Sequence, residues 1–438
     1  MDFLIDLLRG VLGLVVLLGI AFLLSNNRKK INWRTVGAGL SLQIILAVFI
    51  LKGAAMGEVF APLGWPKAFF KWISGFFVLI LNITIEGAQF IFGDLAVDTP
   101  NVGTFFAFQV LPTIIFFGTL MAIMYHLGIM QLIVRSMAWL VSKFMGTSGA
   151  ESLSVTANIF VGQTEAPLVI RPYLERMTYS ELMAVMTGGM ATIAGGVMAA
   201  YIQILGDAFA AAHNIGLDAA RLIFAEQLLG ASLMAAPAAL VLAKILIPEI
   251  GQPETSGQTR LETEKTTTNL IEAAATGASD GLKLALNVGA MLIAFIALIA
   301  LANTMLGWGA GLFGLELTLQ QLLGWTLAPF AWLIGVPWAD AVQFGSLVGT
   351  KVVVNEFIAY LDLGTMITAG DLSPKTIIMA TFALCGFANF SSIAIQIGGI
   401  GPLAPSRKTE LAQLGLKAVL AATLANMMTA TIAGVLAV

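Results

Sequence analysis

The chain has 438 residues, of which 58% are hydrophobic and only 11% are charged, and its formal net charge is −3. Soluble globular proteins carry about 25% charged residues, and one or two cores could not bury this much apolar surface, so lipid must surround much of the chain. A single cysteine excludes an intrachain disulfide framework, and two histidines are too few for a haem, copper or zinc centre. The lack of a basic stripe excludes nucleic acid as a partner.

Seven apolar runs predict transmembrane helices, because each approaches or exceeds the roughly 20 residues that one crossing takes. They are Leu4–Leu24, Val36–Leu51, Thr104–Tyr125, Leu182–Leu205, Leu222–Ile247, Leu284–Met305 and Leu416–Ala437. An eighth candidate, Ile377–Ile400, is interrupted by the polar segment Cys385–Ser392. The first run begins with acidic residues and lacks a suitable cleavage site, which favours a membrane span over a signal peptide.

Three further apolar segments also carry charged or polar side chains, tryptophans or a proline: Trp65–Phe92, Ile129–Met145 and Leu315–Ile334. This mixture is typical of amphipathic helices that lie in the membrane interface. Two other segments, Ser148–Tyr173 and Ala341–Leu363, have a polar interruption near the middle. Half of either segment would rise about 16 Å as a helix, half the hydrocarbon core, so each is predicted to be a re-entrant hairpin.

The fold class is therefore an all-α polytopic membrane protein with about eight transmembrane helices, interfacial helices and two hairpins. We divide it into N-terminal scaffold helices (1–103), a first repeat (104–247) with hairpin 148–173, a polar linker (248–270) and a second repeat (271–438) with hairpin 341–363. Glu165 and Glu356, one in each hairpin, lie 191 positions apart. The hairpins are predicted to enter from opposite sides, which indicates inverted repeats, although a chance echo is the alternative.

Positive charges predict the orientation of the chain, because cytoplasmic loops are enriched in Lys and Arg. With the N-terminus outside, 15 of the 22 Lys and Arg residues fall inside and 7 outside. Both termini are therefore predicted to lie outside the cytoplasm, and the polar linker inside it.

The middle of the first hairpin predicts a helix start at membrane depth. Gly162 permits a tight turn, Thr164 is a suitable N-cap, and Pro167 belongs in a first helical turn. Glu165 then meets the positive end of the helix dipole. A carboxylate at bilayer depth costs roughly 2.5–3.5 kcal/mol, so Glu165 is expected to face a partner or a polar cavity, with purely local capping as the alternative.

The second hairpin repeats this pattern, with Asn355 as the expected cap and Glu356 at the start of a helix. Lys351 precedes them. It is either a binding cation or, as we favour, a side chain that extends to the outer interface.

The interrupted span contributes Phe387, Asn389 and Ser392, whose amide and hydroxyl groups either bind a polar solute or join helices. The glycine pairs in Leu182–Leu205 indicate either close helix packing or a local unwinding. No Arg accompanies these groups within the spans, so a neutral substrate is favoured over an anion, with a small cation as the alternative.

With these motifs in view, the chain resembles the concentrative nucleoside transporter family, in particular its bacterial sodium-coupled members. The matching stretches are VGQTEAPLVIRPYL (161–174), GTKVVVNEFIAY (349–360) and CGFANFSSIAIQIGGI (385–400). The resemblance implies a homotrimer in the inner membrane that imports nucleosides, for example uridine, together with a cation. It implies no organic cofactor and no enzymatic activity, and it leaves purine against pyrimidine preference open.

The resemblance also assigns roles to individual residues. It places Gln163, Thr164, Glu165 and Val197 near the nucleobase, Glu356, Asn389 and Ser392 at the ribose, and Phe387 beside the ligand. It implies a sodium site at Asn158, Val161, Thr192 and Ile193. Sodium is favoured because the GQTEAP motif is intact, a proton-coupled symporter is the alternative, and an intramembrane enzyme is a remote one.

Overall fold

The computed structural model describes residues 2–97, 105–257, 267–312, 314–315 and 317–437. Within these ranges the chain folds into α-helices and short 3₁₀ or π segments, with no β-strand. The predicted boundary at residues 103 and 104, and residues 258–266 of the linker, lie outside the described residues.

The described α-helices are, in chain order, α1 (Asp2–Leu23), α2 (Trp33–Ala47), α3 (Gly53–Val59), α4 (Ala61–Phe92), α5 (Phe106–Gln109), α6 (Leu111–His126), α7 (Ile129–Met145), α8 (Gly149–Ala157), α9 (Arg171–Leu174), α10 (Tyr179–Ala191), α11 (Gly195–His213), α12 (Leu217–Leu246), α13 (Leu270–Gly311), α14 (Leu319–Leu333), α15 (Ala341–Val353), α16 (Glu356–Ala369), α17 (Pro374–Leu384), α18 (Phe390–Ile400) and α19 (Lys408–Leu436).

Eight helical segments of the described chain are long and apolar enough to cross a membrane. Seven of them contain or largely overlap the uninterrupted runs predicted from the sequence. The eighth is Ala61–Ala96, which covers the segment expected at the interface. The predicted span Ile377–Ile400 is instead divided between α17 and α18, each of 11 residues, because the chain leaves the helical path at Cys385–Asn389.

Helix α4 packs against α12 through two polar side-chain contacts. Lys67 forms an ion pair with Glu226, and Asn82 donates a hydrogen bond to Asp218 (Nδ2 to Oδ1, 3.1 Å). The two contacts lie about 22 Å apart along α4 but only about 12 Å apart along α12, at 1.5 Å per residue. The length and composition of this segment would permit a crossing, and its interfacial position stays a prediction.

The two halves of the chain repeat one order of elements. An apolar helix, a second helix, a hairpin, a broken span and a long helix follow one another as α6 to α12 and again as α13 to α19. Helices α6 and α13 pack closely and antiparallel. A Cβ on Gly281 would meet Ile115, whereas one on Gly277 would meet Ala122. The leading helices of the halves thus run in opposite directions, which supports the predicted inversion.

The interior of the molecule is formed by the broken spans and the long helices that follow them. Helix α10 is almost wholly buried and α12 and α19 are mostly buried, whereas α1 and α13 expose large apolar side chains. On α13 these include Ile293 and Trp308, at 76% and 77% exposure. The exposed belt must face lipid or another subunit, because water would penalise it.

The start of the polar linker is part of the fold rather than a plain connection. Thr255 is buried, its carbonyl oxygen accepts a hydrogen bond from the Gly149 amide (3.0 Å), and its Oγ1 accepts one from the Ala150 amide (3.0 Å). These contacts satisfy amide groups at the N-terminus of α8 that have no partner within the helix. The described part of the linker therefore anchors the first hairpin.

Candidate functional site

The first hairpin consists of α8, a non-helical tip at residues 158–165, a 3₁₀ helix (Ala166–Ile170) and the short α9. The prediction that Thr164 caps a helix is wrong. Its Oγ1 donates to Oε1 of Glu165 (2.9 Å), and no side chain caps the 3₁₀ helix. Pro167 and Pro172 remove two backbone donors within six residues, which prevents a regular α-helix here. Glu165 is exposed toward a cavity.

The tip of the second hairpin follows the sequence prediction, although its second helix continues to Ala369, six residues past the predicted end at Leu363. Helix α15 ends at Val353, and the Oδ1 of Asn355 accepts a hydrogen bond from the Ile358 amide (2.9 Å), so Asn355 caps α16. Glu356 is the first residue of that helix and is buried. Its Oε1 accepts from the Tyr201 hydroxyl (3.0 Å) and its Oε2 from Nδ2 of Asn389 (2.9 Å).

Both broken spans lose their helical structure beside the hairpin tips. Between α10 and α11 the backbone unwinds at residues 192–194. Between α17 and α18 it unwinds at residues 385–389, and Asn389 caps α18 by accepting hydrogen bonds at Oδ1 from the Ser392 amide (2.9 Å) and the Ser391 hydroxyl (2.7 Å). Gly188 supplies close packing, since a Cβ there would lie 2.6 Å from Val155. The span therefore uses both alternatives that the sequence left open.

A chain of hydrogen bonds joins the first hairpin to α18. Nε2 of Gln163 donates to Oγ of Ser392 (3.1 Å). Nε2 of Gln396 donates to Oε1 of Gln163 (3.1 Å) and to the carbonyl oxygen of Met186 (3.1 Å). Since α18 also holds Asn389 against Glu356, both hairpins meet on the first turns of this half-helix.

A cavity of about 1080 Å³ lies between the hairpins and helices α6, α11, α13 and α18. The structure brings every predicted substrate residue to its wall, namely Gln163, Thr164, Glu165, Val197, Glu356, Phe387, Asn389 and Ser392. From these groups the cavity extends to His126, Thr267 and Asp280. The volume slightly exceeds the range of about 300–1,000 Å³ that is usual for small-molecule pockets.

The predicted sodium residues lie around the break between α10 and α11. The Phe160 carbonyl oxygen accepts a hydrogen bond from the Gly195 amide (3.0 Å), which joins the hairpin tip to the unwound segment. Asn158 is buried. Its Nδ2 donates to the Ser154 carbonyl oxygen (3.0 Å), while its Oδ1 has no partner among the described residues. The Thr192 hydroxyl donates to the Gly188 carbonyl oxygen (3.0 Å), which leaves its lone pairs available to a cation.

Of the two remaining members of that set, Ile193 is fully buried and Val161 borders the large cavity. A buried amide oxygen without a hydrogen-bond donor is costly unless something else satisfies it. Neutral oxygen ligands of this kind suit a hard monovalent cation. The donor set therefore fits the predicted ion.

Family models match most of the chain. "Na+ dependent nucleoside transporter N-terminus" matches residues 12–95, "Nucleoside recognition" matches 107–208, and "Na+ dependent nucleoside transporter C-terminus" matches 227–434. A transporter of Bacillus subtilis, YutK, is 47% identical over 98% of this chain and 99% of its own length. The chain belongs to the concentrative nucleoside transporter family.

Other relatives and solved structures agree with this assignment. Sodium/nucleoside cotransporter 1 of Rattus norvegicus is 39% identical over 97% of this chain and 63% of its own length. The structure of CNTnw in an inward-facing, substrate-bound state is 43% identical, covers 98% of both chains and superposes with a TM-score of 0.86. These neighbours are transporters, so this family member is not an enzyme.

Sequence reasoning did not identify Tyr201 and Gln396 as parts of the site. Gln396 lies four residues after Ser392, on the same face of α18, so its spacing was an available signal. Tyr201 lies in an apolar run, where an aromatic residue normally indicates packing. Its ring does pack on Tyr360 (centroids 4.2 Å apart), and its hydroxyl alone reaches Glu356.

The prediction that Lys351 extends to the outer interface is wrong. The side chain is fully buried, and its Nζ donates to the Ala383 carbonyl oxygen (2.9 Å) and to Oδ1 of Asn426 (2.6 Å). The side chain remains inside because α17 ends within its reach and presents carbonyl oxygens without helical partners.

Proposed function

We propose that this protein is a secondary active symporter that imports nucleosides together with a cation, which we assign as sodium, by alternating access. The observation that carries the proposal is the convergence of both hairpins on α18 at one wall of the large cavity. There Glu356 is held by Asn389, and Gln163 is held by Ser392. A solute bound at this wall contacts elements of both repeats, as expected for a transport site at a repeat interface.

The chemistry of this wall favours a nucleoside. Glu356 is a carboxylate that accepts hydrogen bonds, and it lies beside the amide of Asn389 and the hydroxyl of Ser392. Carboxylate and amide groups suit the neighbouring hydroxyls of a ribose. Gln163, Thr164 and Glu165 offer donors and acceptors to a planar base, and Phe387 and Val197 supply apolar contact. We assign these roles to the residues predicted from the sequence.

Sodium is the proposed coupling ion, at Asn158, Val161, Thr192 and Ile193. The unpaired Oδ1 of buried Asn158 supports this position. A neutral nucleoside gains nothing from the membrane potential, whereas one accompanying cation gains roughly 2.3 kcal/mol per 100 mV. That energy corresponds to about forty-fold accumulation before any ion gradient is counted.

Alternating access is supported by where the cavity leads. It extends from Glu356 to His126 and Asp280, which the predicted orientation places toward the cytoplasm. We infer that this structure is an inward-open state. Structures of CNTnw in inward-facing and outward-facing states superpose on this chain with similar TM-scores, 0.86 and 0.88, so this fold adopts both states in that relative.

A homotrimer in the inner membrane, with both termini outside the cytoplasm, completes the proposal. The exposed apolar side chains of α1 and α13 are available to lipid and to partner subunits. Cross-linking of the purified protein in lipid nanodiscs measures the subunit number, and a species other than a trimer would contradict that part.

Uptake of radiolabelled uridine into proteoliposomes tests the function. We expect accumulation that requires an inward sodium gradient and increases when the inside is made negative. If uptake is unchanged without sodium at fixed pH but is driven by a proton gradient, the coupling ion is the proton and not sodium. Absence of uptake of uridine, cytidine, adenosine and guanosine under both gradients would refute nucleoside import.

A further inference from the structure

A buried ammonium group lies where the broken span of the second repeat is interrupted. Lys351 is in the last turn of α15 and has 0% exposure. Its Nζ donates to the carbonyl oxygen of Ala383, one of the last four residues of α17. Such carbonyl groups have no partner within their helix and form the negative end of its dipole. The ammonium therefore binds the C-terminal end of α17 as a cation would.

Asn426 of α19 connects this group to the other broken span. Its Oδ1 accepts from Nζ of Lys351 (2.6 Å), while its Nδ2 donates to the carbonyl oxygens of Ala191 (2.8 Å) and Cys385 (2.7 Å). Ala191 is the last residue of α10. One ammonium and one amide thus bind the C-terminal ends of both half-helices.

Gly386, at the break itself, packs directly against this pair. A Cβ on Gly386 would lie 2.6 Å from Oδ1 of Asn426 and 2.7 Å from the carbonyl oxygen of Ala191. Gly386 also has a positive φ of 153°, a conformation that favours glycine. The backbone thus approaches the Lys351–Asn426 pair closely at the break.

The first repeat has a corresponding position, and it is the predicted sodium site. The 191-residue offset that relates Glu165 to Glu356 also relates Thr192 to Ala383. In the first repeat, Asn158 lies at the end of the first hairpin arm with an unpaired buried oxygen. In the second repeat, the same offset pairs Asn158 with Gly349, and Lys351 lies two positions further along, in the last turn of the corresponding arm, where it contacts Ala383 itself.

We propose that Lys351 is a tethered cation that occupies the second repeat's counterpart of the sodium site. A covalently attached ammonium compensates the two helix ends in every state of the transport cycle, because it cannot dissociate. The counterpart at Asn158 takes its cation from solution and can therefore couple transport to an ion gradient. This division of roles rests on the proposed function, whereas occupancy of the site by the ammonium does not.

The test vacates the site in one variant and fills it in another. Lys351→Ala removes three methylene groups and the amine, which together match n-propylammonium. Lys351→Met removes the charge but leaves an apolar side chain of similar length in the space. Thermal unfolding in detergent is measured for both variants and the wild type, with n-propylammonium or with tetramethylammonium, which has no N–H donor, at equal ionic strength.

We expect n-propylammonium to raise the melting temperature of Lys351→Ala, and tetramethylammonium not to do so. Neither cation should affect Lys351→Met or the wild type. Uridine affinity of Lys351→Ala should fall about tenfold or more, since buried acceptors lose their donor, and n-propylammonium should restore it. If Lys351→Ala is recovered folded only when n-propylammonium is present during purification, that result also supports the proposal.

Equal responses of the two variants to n-propylammonium, no response of Lys351→Ala, or failure to recover it with or without the amine would overturn the proposal. A Lys351→Met variant with wild-type stability and uridine affinity would also overturn it. Failure of the wild type to bind uridine in sodium would refute the proposed function instead, and the melting temperatures of the variants would still decide whether an ammonium is required.

Discussion

Asn389 donates a hydrogen bond to Glu356, with Nδ2 2.9 Å from Oε2, although the two residues belong to different structural units. Asn389 begins the second half of a broken span, and Glu356 begins the second arm of a hairpin. The Tyr201 hydroxyl donates to the other carboxylate oxygen. Glu356 is thus held by two donors at the wall of the cavity.

Glu356→Gln is expected to weaken uridine binding by roughly 10- to 150-fold, because a hydrogen bond to a charged group contributes about 1.5–3 kcal/mol. An amide accepts at only one of its two heavy atoms, so either Tyr201 or Asn389 would lose its acceptor. Calorimetric titration in sodium measures the change. Tyr201→Phe is the matched control. It keeps the ring packing and should cost less, and wild-type affinity of Glu356→Gln would remove Glu356 from the site.

Glu165→Gln tests the other carboxylate with little risk to folding. Glu165 is exposed to the cavity and its described side-chain partner is Thr164 (Oγ1 to Oε1, 2.9 Å). We expect a large loss of uridine affinity, about tenfold or more, with an unchanged melting temperature. An equal loss for uridine and for ribose alone would contradict its assignment to the base, since a contact with the base should affect only the complete nucleoside.

Gln396→Met tests whether Gln163 needs its support. Gln396 is buried and donates to Oε1 of Gln163 and to the Met186 carbonyl oxygen. Methionine keeps the side-chain length but leaves both acceptors without this donor, at a cost of about 1–3 kcal/mol. We expect weaker uridine binding and a changed ranking of nucleosides, because the Gln163 amide can then rotate. A loss of stability with the ranking intact would indicate a purely structural role.

Asn158→Ala is expected to raise the sodium concentration that gives half-maximal uptake by about tenfold. The affinity for uridine at saturating sodium should be almost unchanged. Linkage then requires that uridine lowers the sodium requirement by the same factor by which sodium improves uridine binding. Ser154→Ala is the matched control, since its buried Oγ also lacks a partner among the described residues but is not assigned to the ion. Equal effects of the two variants would contradict the assignment.

Asp340 provides a pH test outside the spans. Burial alone would raise its pKa, but hydrogen bonds from the Ser373 hydroxyl, the Thr376 hydroxyl and the Ser373 amide outweigh it, so the pKa of Asp340 is lowered. A lowered folded-state pKa stabilises the fold above the unfolded-state value, and this stabilisation is lost as pH falls through the folded value. Asp340→Asn should lower the melting temperature at neutral pH, and the difference from wild type should shrink in acid. A difference independent of pH would contradict this account.

Local features of the sequence were sufficient for several parts of the site. Asn355 and Glu356 could be placed because capping depends on neighbouring backbone groups. The polar segment Cys385–Ser392 correctly indicated a broken span, because polar residues inside an apolar run are expected where a helix ends. The prediction that Thr164 caps a helix failed because it considered the cap residue alone. Pro167 and Pro172 together favour a 3₁₀ helix at this position.

The sequence by itself determined the membrane class, the order of spans and hairpins, and which two carboxylates lie among them, since each follows from the cost of placing charge in lipid. The tertiary structure alone decided which distant groups meet. Lys351 has a side chain long enough for either the interface or the interior, and Asn426, 75 residues later, holds it inside. Gln163 and Gln396 pair across 233 residues. Such contacts depend on how helices pack, which no local pattern specifies.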